Sequence, residues 1–294
     1  MLEYDVRLGL DVGSTTVKSV AIANGTIIFS TYKRHRADIR NTIIAVVSEA
    51  LTIIQEKLSD HAVISAIVTG SGGLAVSKWL NIPFVQEVTA ATTAVRKLIP
   101  KTDVVIELGG EDAKITYFEG SNVEQRMNGT CAGGTGAFID QMAALLETDA
   151  AGLNELAKNY TTIYPIAARC GVFAKTDIQP LINEGAARED IATSIFQAVV
   201  SQTISGLACG KPIRGNVAFL GGPLHFLTEL RKRFIETLKL QDEQIIIPEN
   251  AQLFVALGAA YTELKILEDE KKEDLAKRYN LMALSDFKKA LLQI

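Results

Sequence analysis

The chain has 294 residues, 30 Lys+Arg against 34 Asp+Glu, and a formal net charge of −4. With 48% hydrophobic residues it is not a disordered segment, which needs low hydrophobicity and high net charge, nor a Gly/Pro repeat. A slightly acidic balance argues against a dedicated nucleic-acid binder, which carries a basic excess. Three cysteines, Cys131, Cys170 and Cys209, are too few for a disulfide scaffold. The opening residues carry acids and run straight into a strand, unlike a targeting leader. No uninterrupted apolar run has the length of a membrane span. We therefore expect a soluble, cytoplasmic protein without membrane or nucleic-acid partners.

Apolar runs predict strands over Val6–Val12 and Thr16–Ala23, with a return strand Thr26–Tyr32 after the Asn24-Gly25 hairpin signal. Ile43, Val46, Val47, Leu51 and Ile54 recur at helical spacing and predict a helix over Arg40–Leu58. Ala62–Thr69 predicts a strand ending in Gly70-Ser71-Gly72-Gly73, with a short helix at Leu74–Leu80. The order then recurs: a strand Asp103–Leu108, the turn Gly109-Gly110, and a strand Ala113–Phe118. A helix Ala137–Glu147 follows the stretch Cys131-Ala132-Gly133-Gly134-Thr135-Gly136. Ile191–Leu207 predicts a long helix, Val217–Leu220 a strand ending in Gly221-Gly222-Pro223, and Gln252–Leu264 a helix. A strand–glycine turn–strand unit occurs twice and a strand–Gly-Gly turn a third time, the pattern of an α/β protein with two related halves. We expect one half over 1–98 and another over 99–262, its closing helix free to return to the first. A charged, solvated helical tail or linker is expected over 263–294.

The turns carry the chemistry. In LGLDVGSTTVKSV, Gly13 allows a tight bend and close approach to a ligand. Amides and hydroxyls of Ser14, Thr15 and Thr16 can face phosphate oxygens, and Lys18 adds charge. Asp11 can hold a hydrated Mg²⁺. An ordinary hairpin with polar tips is the plain alternative. VVIELGGEDAKITYF repeats the design with Glu107, Gly109, Gly110, Glu111, Asp112 and Lys114. VAFLGGPLHF offers a neutral third turn suited to a nucleoside. Together the three point to a nucleotide. GxxxxGK[ST] is absent, so this is no P-loop.

LGLDVGSTTVKSV resembles the first phosphate motif of the actin, sugar kinase and chaperone-ATPase superfamily. VVIELGGEDAKITYF resembles its second and VAFLGGP its adenosine motif. QEVTAATTAV and ALGAAY resemble its two connecting helices. The resemblance implies two similar actin-like (ribonuclease H-like) lobes with a nucleotide cleft between them, holding ATP or ADP with Mg²⁺, and hinge-like motion on hydrolysis.

Cys131 lies in MNGTCAGGTGAF and Cys170 in ARCGVFAKTD, each ahead of a helix-competent run. A thiolate near a helix N-terminus is stabilised by the dipole and binds metal readily. Two buried core cysteines are the plainer reading of the residues alone. The two stand 39 positions apart with no Cys-x-x-Cys spacing. One chain therefore cannot fill a four-thiolate site, whereas a two-fold dimer supplies four. MNGTCAGGTGAFIDQMAALLE and ARCGVFAKTDI strongly resemble the cluster segments of 2-hydroxyacyl-CoA dehydratase activators, within the BadF/BadG/BcrA/BcrD ATPase family.

That resemblance implies a homodimer sharing one 4Fe-4S cluster, with Cys131 and Cys170 as ligands. It implies ATP hydrolysis driving a low-potential electron into a partner dehydratase or reductase, with a donor such as ferredoxin or flavodoxin. Ser14, Thr15, Thr16, Val17 and Lys18 fall on the family's first phosphate stretch, and Pro223 and Gln252 on its nucleotide contacts. Glu107 stands where many superfamily members have Asp. Asp11, Glu107 and Asp112 are the candidates to hold Mg²⁺ through water, and Glu107 or Asp112 to orient the attacking water. A small-molecule kinase of the N-acetylhexosamine type and a degenerate regulatory ATPase domain are the alternatives. Cys209 is expected as a core or helix-end residue, and His35, His61 and His225 as surface or satisfied histidines. Trp79 is expected to pack, and Lys33–Arg36 to form a solvated charge cluster.

Overall fold

The computed structural model describes residues 5–128, 133–167, 171–262 and 282–294. The chain divides into two compact units, Met1–Pro100 with Leu253–Ile294, and Lys101–Gln252.

In the first unit, β1 (Val6–Val12) is buried along almost its whole length. It sits inside the sheet, antiparallel to β2 (Thr16–Ala23) and parallel to β4 (Val63–Thr69). That double burial explains its continuous apolar run. β3 (Thr26–Arg34) is an outer strand, joined to β2 by the expected two-residue turn, in which Asn24 and Gly25 take φ of 50° and 75°. Helix α1 (Ile39–Lys57) starts at Asp38, whose carboxylate accepts the Asn41 N–H. It lays Ile43, Val46, Val47, Leu51 and Ile54 in one core with Val6, Leu8, Leu10 and Val12 of β1. The sequence continues through α2 (Gly73–Leu80) and α3 (Glu87–Leu98).

The second unit repeats the scheme. β5 (Val104–Leu108), β6 (Ala113–Glu119) and β7 (Asn122–Met127) form an antiparallel meander. Then come α4 (Gly136–Leu145), α5 (Ala150–Leu156), α6 (Gly171–Asn183) and α7 (Arg188–Thr203). β8 (Val217–Leu220) pairs parallel with β5. It is followed by α8 (Gly222–Phe226), α9 (Thr228–Leu238) and β9 (Ile245–Ile246), which extends the sheet beside β8. α7 is the core helix, burying Ile191, Ile195, Phe196, Val199 and Val200. It runs on through a wider turn at Ile204–Ala208, where the Arg126 guanidinium donates to the Leu207 and Ala208 carbonyls. Arg188–Ala208 meets the length and mean hydropathy of a membrane span although polar residues interrupt it, and 67% of its most apolar window is buried within the fold. Cys209 ends it, exposed and in left-handed backbone with φ 45°.

Residues Leu253–Ile294 belong to the first unit. Helix α10 (Phe254–Tyr261) approaches β1 and α3 closely because small residues line it. A Cβ on Gly258 would collide with the Ala90 carbonyl, and one on Gly9 with the Ala256 carbonyl. β10 (Met282–Ala283) then pairs antiparallel with β4, and α11 (Leu284–Leu291) follows. The solvated tail expected over 263–294 does not extend to this end. Leu284, Phe287 and Leu291 are buried in the first unit's core. The sheet orders, β10-β4-β1-β2-β3 and β7-β6-β5-β8-β9, share a three-strand meander flanked by a parallel fourth strand.

Phe287 is fully buried. Phe287→Ala should therefore cost the first unit about 3 kcal/mol, read as a fall in its urea midpoint at unchanged slope. A loss under about 1 kcal/mol would show that α11 does not contribute to the core.

Candidate functional site

Two hairpin ends, one in each unit, share a construction. Asp11 on β1 stands opposite Lys18 on β2, and the Lys18 Nζ lies 2.7 Å from Asp11 Oδ2. Glu107 on β5 stands opposite Lys114 on β6. There the Lys114 Nζ lies 3.7 Å from Glu107 Oε1 and 2.5 Å from Asp112 Oδ2. Asp11 is 2% and Glu107 8% exposed. Burying a carboxylate charge is costly unless a cation pairs with it. Each hairpin closes with the same bond: Gly13 N–H to the Thr16 carbonyl at 2.9 Å, and Gly109 N–H to the Asp112 carbonyl at 2.7 Å.

In the first turn the carbonyls point into the protein. Gly13 O lies 3.2 Å from His35 Nε2, and Thr15 O accepts from the His35 backbone N–H at 3.1 Å. The amides of Ser14 and Thr15 donate to no other described residue. Val17 is buried in the core and offers only its backbone. Thr69, at the end of β4 in register with Asp11, is buried with no hydrogen-bond partner for Oγ1 among the described residues.

In the second turn the carbonyls are held differently. Gly109 O accepts from Gly136 N–H at 3.0 Å and Gly110 O from Ala137 N–H at 2.7 Å, both at the start of α4. Asn128 braces the other side. Its side-chain oxygen accepts the Ala113 N–H at 2.7 Å, and its own N–H donates to the Ala113 carbonyl at 3.1 Å. The stretch between Asn128 and Gly136, which contains Cys131, is thus tied to the second hairpin at both ends.

The third turn adjoins the second. Glu107 is in register with Leu220. Gly221, at φ 89°, sits where an added Cβ would strike the Leu108 carbonyl, so only glycine fits. Gly222 is buried and starts α8, and Pro223 follows it. A Cβ on Gly136 would lie 3.4 Å from the Pro223 ring. Gly221 N–H donates to the Ala251 carbonyl at 3.0 Å, which sets Gln252 beside this turn. Gln252 Oε1 is buried and lacks a donor among the described residues. Burial, with the Arg231 charge adding, holds the His225 imidazole below its ordinary pKa.

Around the second cysteine, the backbone of 160–167 is strapped down. Asp190 accepts the N–H groups of Thr161 at 2.6 Å and Thr162 at 2.9 Å, and Ser194 Oγ accepts that of Tyr164 at 2.7 Å. Asp177 on α6 accepts the Ala167 N–H at 2.7 Å. These backbone bonds hold the Asp190 carboxyl below the ordinary carboxylate range.

The BadF/BadG/BcrA/BcrD ATPase family matches residues 8–262. The chain belongs to that family. It is 30% identical, over 90% of its length and 97% of the relative's, to a 2-hydroxyisocaproyl-CoA dehydratase activator of Clostridioides difficile. The (R)-2-hydroxyglutaryl-CoA dehydratase component A of Acidaminococcus fermentans superposes with a TM-score of 0.74 at 27% identity, over 87% of this chain and 96% of that one. A Clostridium difficile activator of 2-hydroxyisocaproyl-CoA dehydratase, solved with bound ADPNP, superposes with a TM-score of 0.72 at 24% identity, covering 98% of each chain. The actin-like α/β fold implied by the superfamily resemblance is borne out.

For this ATPase-family chain, Asp11, Gly13, Ser14, Thr15, Thr16, Val17 and Lys18 gather at one hairpin of the first unit. Glu107, Gly109, Gly110, Asp112, Gly221, Gly222, Pro223 and Gln252 gather in the second. Cys131 and Cys170 lie outside the described residues. Among the described residues, no three His, Cys, Asp or Glu side chains converge as a metal-binding group. Sequence reasoning missed Asn128 and Thr69, whose roles come from strand register rather than from a motif. His35, expected as surface or satisfied, is satisfied and buried.

The strap at Asp190 is acid-sensitive. A carboxyl whose folded pKa is depressed adds stability that is full above the unfolded value and is lost as pH falls through the folded one. Hydrogen exchange at Thr161 and Thr162 should therefore stay slow at neutral pH and quicken below the ordinary carboxylate range. Asp190→Asn should show the fast exchange already at pH 7.

Proposed function

We propose that this chain is an ATP-hydrolysing activator that drives a low-potential electron into a 2-hydroxyacyl-CoA dehydratase or a related reductase. The observation that carries the reading is the tether of the Cys131 stretch. Asn128 at one end and Gly136-Ala137 at the other bond to the hairpin that holds Glu107 and Asp112. A change in that hairpin on hydrolysis would reach the cysteine through short backbone bonds. The membership in an ATPase family and the dehydratase activator among its relatives support the same reading.

The turns are proposed to serve an Mg²⁺-nucleotide. Asp11, Glu107 and Asp112 would hold Mg²⁺ through its water shell, which suits a small cation that dehydrates reluctantly. The unengaged amides of Ser14 and Thr15 and the charge of Lys18 would face phosphate oxygens. The buried, donor-lacking Gln252 Oε1 fits a ligand hydroxyl or amine beside the third turn, since an orphaned buried acceptor is otherwise costly. Glu107 or Asp112 would orient the attacking water.

Cys131 and Cys170, with their counterparts in a second copy, would hold a 4Fe-4S cluster. By its position Cys170 directly precedes Gly171, the first residue of α6, where a helix dipole favours a thiolate. When bound, that cluster supplies the low-potential electron. Hydrogen bonds and solvent exposure around the thiolates would set its potential. Ferredoxin or flavodoxin is the proposed donor.

Glu107→Gln should lower ATP turnover by about a hundredfold or more while Mg·ADP affinity stays within a few-fold. Unchanged turnover would remove Glu107 from the hydrolytic role. Cys131→Ala, purified without oxygen, should lose iron and sulfide yet still bind Mg·ADP. A variant with full iron content would rule out Cys131 as a ligand.

A further inference from the structure

We infer that His35 is a positioning residue for the first phosphate turn, which it holds in the shape that exposes amides to an anion. The inference rests on the nucleotide reading above. His35 is 6% exposed and follows directly on β3. The β2–β3 ladder pairs Thr16 with Arg34, so His35 arrives beside the turn by register. There it makes two contacts to the turn: its backbone N–H donates to Thr15 O at 3.1 Å, and its Nε2 reaches Gly13 O at 3.2 Å.

The ring's tautomer follows from its partners. Nδ1 accepts the Ala37 backbone N–H at 3.1 Å, so it carries no hydrogen. The hydrogen is then on Nε2, and Nε2 donates to the Gly13 carbonyl. Arg36 and Ala37 both adopt left-handed backbone, with φ of 48° and 66°. Two consecutive non-glycine residues there are strained, and the loop is closed by Asp38 N–H to His35 O at 2.7 Å. The strained loop places the Ala37 N–H against Nδ1 and so aims Nε2 at the turn.

The consequence is local and electrostatic. A carbonyl free to rotate outward would set its negative end against a phosphate. With Gly13 O and Thr15 O both engaged, the Ser14 and Thr15 N–H groups are left to face the ligand. The second turn obtains the same result for Gly109 O from the Gly136 amide. His35 is the first unit's substitute for a helix start.

Three substitutions separate the two ring contacts. Gln at 35 keeps a donor near the Nε2 position, Asn keeps an acceptor near Nδ1, and Ala keeps neither. Titration calorimetry with Mg·ADP should show H35Q within about two-fold of wild type and both H35N and H35A weakened about five-fold. Rescue by Asn and not Gln would mean that His35 serves only its own loop, and would overturn the inference. Equal affinity in all four proteins would overturn it while leaving the nucleotide reading intact. Wild-type protein that binds no Mg·ADP would sink both. Nitrogen-15 NMR of the wild-type imidazole supplies a readout independent of variant folding: the Nε2–H tautomer is expected, and Nδ1–H would refute the assignment.

Discussion

A backbone turn can offer amides to an anion only if its carbonyls are turned away, and that constraint governs both acid-bearing hairpins. Each closes with a glycine N–H bonded three residues on, and in each turn two further carbonyls are restrained from outside. In the first turn the restraints are the imidazole and backbone N–H of His35, and in the second they are the opening amides of α4. The two solutions differ in where they lead along the chain. A side chain on a short loop ends where it bonds. The start of α4 continues back along the chain into the stretch that carries Cys131.

The acid–lysine pairs set a second condition. Both span the same spacing because a four-residue turn separates residues in register on adjacent strands. Buried ion pairs add little net stability, since desolvation offsets the attraction. Their value here is to hold a carboxylate at a defined place. The pairs are not identical. Asp11 takes Lys18 closely, whereas Lys114 lies nearer Asp112 than Glu107. The Glu at 107 is thus less tightly engaged by its lysine than the Asp at 11, although it is nearly as buried.

The strands, the three glycine turns and the duplication were legible in the sequence because doubly buried strands must be continuously apolar and tight turns demand glycine. β7 was not: NVEQRM is a polar outer strand whose residues are at most half-buried. The C-terminal tail was misread for a related reason. The charges through residues 265–278 dominate the window and mask Leu284, Phe287 and Leu291, which lie on one helical face. His35, Asn128 and Thr69 were invisible as site residues because each reaches its place through pairing with a distant segment. A lone histidine among Lys33, Arg34 and Arg36 resembles a solvated basic run, and the left-handed pair that aims its ring leaves no compositional trace.

The segment 251–262 shows how several demands settle on a few small residues. Ala251 gives its carbonyl to Gly221, and Gln252 brings beside the third turn an oxygen that has no donor among the described residues. Two residues later the chain enters α10, whose Gly258 has no space for a side chain against Ala90. Gly9 of β1, two residues before Asp11, has none against Ala256. In a close-packed interior such contacts have no slack. The backbone that carries Asp11 to its turn is therefore braced by the helix that begins just after Gln252. The chain uses one short stretch first to complete the third turn and then to stiffen the strand behind the first.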